Sequence, residues 1–122
     1  MTETIRLRSN YEFDLITRIA GAAGSHPELV VGIGDDCAVF RNGTVVSVDA
    51  SVDDVHFRGA WLRPEQIGYR APAVAVSDLA AMAARPVAAV VALALPRHGG
   101  VEVAKDLYEG MVALGEGVHL SV

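Results

Sequence analysis

Apolar residues recur at helical spacing in three stretches of the chain and at strand-like density in the segments between them. In Tyr11–Ala22 the side chains of Phe13, Ile16, Ile19 and Ala20 fall on one helical face. Asn10 is placed to cap the first turn, and Gly21, Gly24 and Ser25-His26-Pro27 end it. Leu29–Val31 opens a strand that runs into Gly32-Ile33-Gly34-Asp35-Asp36. Residues 37–40 form a second strand, and 44–48 return from an Arg41-Asn42-Gly43 hairpin turn, because Asn-Gly accepts positive φ. Residues 49–57 are irregular or a short strand, and acid-rich.

A second helix is predicted from Pro64, which suits a first helical turn, through Ile67, Val74, Leu79 and Met82 to Ala84. Pro72 should bend or break it, leaving the Gly68 carbonyl without a partner. Arg85-Pro86 stops it, and residues 87–95 read as a buried strand. After a loop at 96–100, residues 101–114 form an amphipathic helix with Val103, Leu107, Tyr108, Met111 and Leu114 inward and Gly115 as its C′ residue. Residues 118–122 begin another strand. The order α, β, β-hairpin, α, β, α, β predicts one α/β (α+β layered) domain over 1–122, a mixed sheet with helices on one face. A chain that stops as a strand begins is expected to continue in a longer parent.

Composition sharpens this picture. Apolar residues make up 52% of 122 and charged ones 20%, which excludes a disordered chain. Only 6% are aromatic, so the core must rest on aliphatic side chains. The net charge is −5, with Lys105 the single lysine and nine scattered arginines. No basic face for nucleic acid is expected. The longest apolar run falls far short of the ~20 residues that span a bilayer, so no membrane segment is expected either. Cys37 stands alone, which rules out an internal disulfide and a multi-cysteine zinc site and suits a reducing cytoplasm.

The candidate chemistry is acidic. Asp35, Asp36, Asp49, Asp53, Asp54 and Asp78 lie mostly at strand ends or just after them. Two readings stand: solvated turn residues, or carboxylates gathered for a hard cation such as Mg²⁺ that keeps water sites for phosphate. Asp78 lies in the apolar run Val76-Ser77-Asp78-Leu79-Ala80-Ala81-Met82. It either caps a helical segment after Pro72 or is a carboxylate that needs a partner or metal. His56 follows the acidic loop as a structural or a functional histidine. Gly32-Ile33-Gly34 fails as a dinucleotide fingerprint because Cys37 occupies the third glycine's place. No lysine follows a glycine-rich loop, so a P-loop fails too. Cys37, beside two acids that raise a thiol's pKa, reads as a core residue.

Several motifs in order carry a resemblance. Gly32-Ile33-Gly34-Asp35-Asp36-Cys37-Ala38-Val39, Ser47-Val48-Asp49, His56-Phe57, Pro64-Glu65-Gln66-Ile67-Gly68-Tyr69-Arg70 and Ser77-Asp78-Leu79-Ala80-Ala81-Met82 together resemble the N-terminal domain of the thiamine-monophosphate kinases, within the aminoimidazole-ribonucleotide-synthetase-related superfamily. The resemblance implies an α/β domain whose sheets join into a barrel across a homodimer. It implies transfer of the ATP γ-phosphate onto thiamine phosphate, with Mg²⁺ ions bridging the phosphates. By motif it assigns Asp36, Ser47, Asp49 and Asp78 to Mg²⁺ and His56 to the thiamine phosphate substrate. It leaves Asp35 to orient a metal ligand, and it assigns no catalytic residue.

The sequence departs from that pattern at Tyr11-Glu12-Phe13, where Gly-Glu-Phe is usual, and at Val48, where threonine is frequent. Ala83 replaces a glycine, and Pro72 enters a helix that normally lacks proline. The family's Gly-Gly-Asp motif and C-terminal domain are expected beyond Val122, so the 122 residues alone are not expected to hold a complete active site. Two alternatives remain: another ATP-using superfamily member of synthetase type, or a non-catalytic dimerisation module.

Overall fold

A computed structural model describes residues 11–122. Helix α1 covers Tyr11–Ala22, β1 Leu29–Val31, β2 Ala38–Phe40, β3 Val45–Val46, α2 Pro64–Ala81 and α3 Gly100–Val118. The predicted cap Asn10 lies outside the described residues. The three strands form one antiparallel sheet in the order β1-β2-β3. Asn-Gly makes the β2–β3 turn as expected. Gly43 takes φ +86°, and its N–H donates to the Phe40 carbonyl at 2.9 Å, while the Asn42 side chain accepts the Thr44 N–H at 3.0 Å. The return strand is shorter than residues 44–48, because only Val45 and Val46 pair with β2, opposite Val39 and Ala38. Ser47 is thereby released from the ladder.

Helix α2 begins at Pro64 as predicted, with the Arg63 N–H donating to Gln66 Oε1 at 2.9 Å. It does not break at Pro72. One helix runs through the proline to Ala81, so no second segment exists for Ser77 or Asp78 to cap. The reason is tertiary. Gly68, four residues before the proline, and Pro72 are the buried residues of α2. A Cβ on Gly68 would collide with the Leu107 backbone of α3, and one on Gly110 would collide with Glu65 and Tyr69 of α2. Two glycines facing opposite backbones let the helix axes approach closely. The packing thus gained holds α2 together against a local proline penalty of ~3 kcal/mol.

Helix α3 is longer than predicted. It passes through Gly115 and ends at His119, which takes φ +59°, while the Leu120 N–H folds back to the Gly115 carbonyl at 2.9 Å. Gly115 is buried because a Cβ there would press on the Leu120 carbonyl. The predicted strands at 87–95 and 118–122 are not formed. The second is consumed by α3 and its terminal turn. Ser121 remains to make a single parallel bridge with Ala88, through Ala89 N–H to Ser121 O at 2.8 Å and Ser121 N–H to Val87 O at 3.0 Å. With no second strand to pair with among the described residues, the apolar run at 87–95 stays irregular, and Val90 is fully exposed. The ladder among the described residues is accordingly antiparallel rather than mixed.

The buried apolar core consists of Cys37, Met111, Leu114 and Leu120. Met111 and Leu114 are the inward residues expected of α3; α1, by contrast, buries none of its side chains. No helix among the described residues is long and apolar enough to cross a membrane.

Helix propensity alone favours Gly→Ala by about 0.8–1.0 kcal/mol. Gly117→Ala, in open space on α3, should therefore raise the urea midpoint. Gly68→Ala and Gly110→Ala should lower it, through a stability loss of about 1–3 kcal/mol or more, because the added methyl forces two backbones apart. Equal gains from all three substitutions would remove the close crossing.

Candidate functional site

The end of β3, the turn before β2 and the last turns of α2 meet around one small acidic centre. Ser47 leaves the β-ladder immediately after Val46 and donates its hydroxyl to Asp78 Oδ2 at 2.9 Å. This bond ties the hairpin to α2 across 31 residues of chain. Asp78 is half-buried, which makes a polar partner necessary. Asp49 lies against the same carboxyl. Loss of solvent first, then a hydrogen bond and charge repulsion from Asp78, push its carboxyl above the usual range, while the His56 imidazole pulls it down.

Cys37 closes the inner wall of this centre. It is 3% exposed, as the core reading expected. Burial pushes its thiol up, Asp78, Asp36 and Asp35 add to the rise, and contact with the Ser47 hydroxyl opposes it. The thiol is therefore held protonated, and the polar face it adjoins is one of oxygen atoms.

Asp35 and Asp36 stand in the exposed turn between β1 and β2. Gly34 reaches φ +119° there, and Asp35 Oδ1 accepts the Asp36 N–H at 2.9 Å. His56 sits on the exposed 52–59 loop, with its Nδ1 accepting the Val52 N–H at 3.1 Å. The structure thus brings Ser47, Asp49 and Asp78 together. Asp35 and Asp36 lie within electrostatic reach of Cys37, and His56 within reach of Asp49. Among the described residues, no three Asp, Glu, His or Cys side chains converge closely enough to hold a metal ion by themselves. The Ser47–Asp78 bond is the element that residue spacing could not disclose, since its partners come from separate elements. The clue was a carboxylate set in an otherwise apolar helical run.

Two adjacent carboxylates at neutral pH repel, and the sign of the effect follows. Asp49 binds its proton more tightly in the folded chain than in the unfolded one. Its stabilising contribution is complete below the ordinary carboxylate range and is lost as pH rises through the raised value. Asp49→Asn should therefore raise the melting temperature at pH 7 and leave it unchanged near pH 3. A variant that melts lower than the original chain at pH 7 would contradict the repulsive pairing.

The sequence matches the family model described as AIR synthase related protein, N-terminal domain, over residues 34–122. Curated relatives include the thiamine-monophosphate kinase of Bacillus subtilis, 42% identical over 115 residues, covering 91% of this chain and 35% of that protein. That of Corynebacterium glutamicum is 41% identical over 105 residues, 82% of this chain and 30% of that protein. That of Rhodopirellula baltica is 34% identical over 122 residues, 91% of this chain and 39% of that protein. The chain therefore spans about a third of the length of these relatives. No solved structure matches it. With the matched region running from the Gly34 turn through the acidic centre and both helices of the crossing, the chain belongs to the AIR synthase related proteins and carries their N-terminal domain.

Proposed function

We propose that this chain is the metal- and nucleotide-binding, dimer-forming N-terminal part of a thiamine-phosphate kinase, an enzyme that moves the γ-phosphate of ATP onto thiamine phosphate. The observation that carries the reading is the Ser47–Asp78 bond with Asp49 pressed against it. Similarity to curated thiamine-monophosphate kinases supplies the substrates.

The donor set fits Mg²⁺ on chemical grounds. Its atoms are hard oxygens, two carboxylates and a hydroxyl, and their mutual repulsion is what a cation relieves. Mg²⁺ is commonly held by one or two carboxylates together with substrate phosphates, rather than by a complete protein cage. In this reading Asp49, Asp78 and Ser47 would hold the ion, with Asp36 a further ligand on the β1–β2 turn, where Asp35 fixes its backbone N–H. Bound Mg²⁺ would neutralise the charge of the phosphates in transit. His56 faces the thiamine phosphate from the neighbouring loop. The protonated Cys37 adds no competing soft ligand and keeps water from the inner side. A single buried thiol suits a cytoplasmic enzyme.

Homodimer formation is supported by the apolar surface left open. Val48 is 90% exposed, Val87 76% and Val90 102%, an arrangement that isolated domains avoid. A barrel closed across the two-fold axis would cover the run at 87–95 and supply the partner its backbone lacks.

Calorimetric titration with a non-hydrolysable ATP analogue should show binding that requires Mg²⁺ and is lost in Asp49→Asn. Affinity that is unchanged in that variant would favour a non-catalytic module, and no binding at millimolar analogue would remove the nucleotide site from this chain. Light scattering at micromolar concentration should give twice the 12.8 kDa chain mass. A monomer throughout that range would exclude the barrel.

A further inference from the structure

Of the six aspartates that stand out in the sequence, Asp53 is bound up in a different task from Asp49 and Asp78. Its Oδ1 accepts two backbone N–H groups, from Asp54 at 3.0 Å and from Gly59 at 2.9 Å. The second bond closes a loop of seven residues on itself. Inside that loop the Asp54 N–H donates to the Phe57 carbonyl at 2.7 Å, and the His56 N–H donates to the Val52 carbonyl at 2.9 Å. Asp54 is carried at φ +60°, a conformation that a non-glycine residue holds only when its surroundings fix it.

The same loop fixes an imidazole. His56 Nδ1 accepts the Val52 N–H at 3.1 Å, so Nδ1 carries no proton and the neutral ring bears its proton on Nε2. The backbone bonds made by Asp53 set the path of the chain between Val52 and Gly59, and hence the geometry in which Val52 meets His56. Arg58 closes the outer edge, stacked 4.6 Å from the Trp61 ring centroid and 3.7 Å from Asp54. Both contacts are exposed and would fix the loop weakly by themselves.

We infer that Asp53 is a positioning residue, not a metal ligand: it staples the 52–59 loop so that His56 presents an Nε2–H donor to an anionic oxygen of the bound substrate. The orientation of His56 toward a substrate rests on the function proposed above; the tautomer and the staple do not. A staple needs only an oxygen acceptor, which an amide provides as well as a carboxylate. A metal ligand needs the charge. Asn and Ala at position 53 therefore separate the two roles.

The test is nitrogen NMR of the His56 ring in the whole chain, at a pH where the ring is neutral. The original chain should show an unprotonated Nδ1 and a protonated Nε2. Asp53→Asn should keep that pattern, and Asp53→Ala should lose it, giving averaged nitrogen signals as the tautomers mix. A pattern unchanged in Asp53→Ala, or lost equally in Asp53→Asn, would overturn the inference. Should Asp53→Ala not fold, hydrogen exchange of the original chain decides. The Gly59 amide, whose partner is Asp53 Oδ1, should exchange at least ~10-fold more slowly than a free amide, and exchange at the free rate would overturn the staple. Because these readouts need no substrate, they stand or fall separately from the Mg²⁺-nucleotide titration.

Discussion

The crossing of α2 over α3 is the constraint on which the rest of the structure depends. Gly68 on one helix and Gly110 on the other each face the opposing backbone where a side chain would not fit. Close approach of this kind multiplies dispersion contacts and fixes one relative placement of the helices. It keeps α2 continuous past Pro72, and continuity is what carries Asp78 from the crossing to the sheet. Had α2 broken at the proline, the acidic centre would depend on a free segment rather than on a braced helix. Met111, Leu114 and the returning Leu120 complete the packing on the α3 side.

The acidic centre is a local conflict held in place by this scaffold. Ser47 satisfies one oxygen of Asp78, while Asp49 opposes the same carboxyl. An arrangement in which like charges are braced against one another stabilises nothing by itself. In the proposed function its chemical sense would be to attract a hard cation with phosphate attached. Asp53 shows the contrast within the same acid-rich stretch, because its carboxyl is spent on backbone N–H groups of its own loop. Residues of one type, a few positions apart, thus divide between charge chemistry and loop geometry.

Much of this was legible in the sequence wherever the cause is local. The bounds of α1, the Asn42-Gly43 turn, the start of α2 at Pro64 and the burial of Cys37 all follow from periodicity, turn chemistry and flanking residues. Three readings failed, each for a non-local reason. Pro72 bends or breaks a helix by its intrinsic penalty, but α2 does not break there, because packing at the glycine crossing offsets that penalty. The apolar run at 87–95 suggests a buried strand, yet pairing needs a partner, and among the described residues Ser121 alone bridges to it. Gly115 has the look of a helix end, but it is small because Leu120 folds onto it, and the left-handed turn falls at His119 instead. In the site, the acids themselves were visible; that Ser47 and Asp78 touch was not, since 31 residues separate them.

In the proposed function the carboxylates of Asp49 and Asp78, with the Ser47 hydroxyl, form the cation site. Titration with Mn²⁺ as a paramagnetic stand-in for Mg²⁺, followed by amide NMR, tests it most directly. Line broadening should begin at Ser47, Asp49 and Asp78 and reach Asp53 and Asp54 only at higher metal. Broadening that begins at Asp53 and Asp54, or that spreads evenly over the exposed acids, would contradict the account.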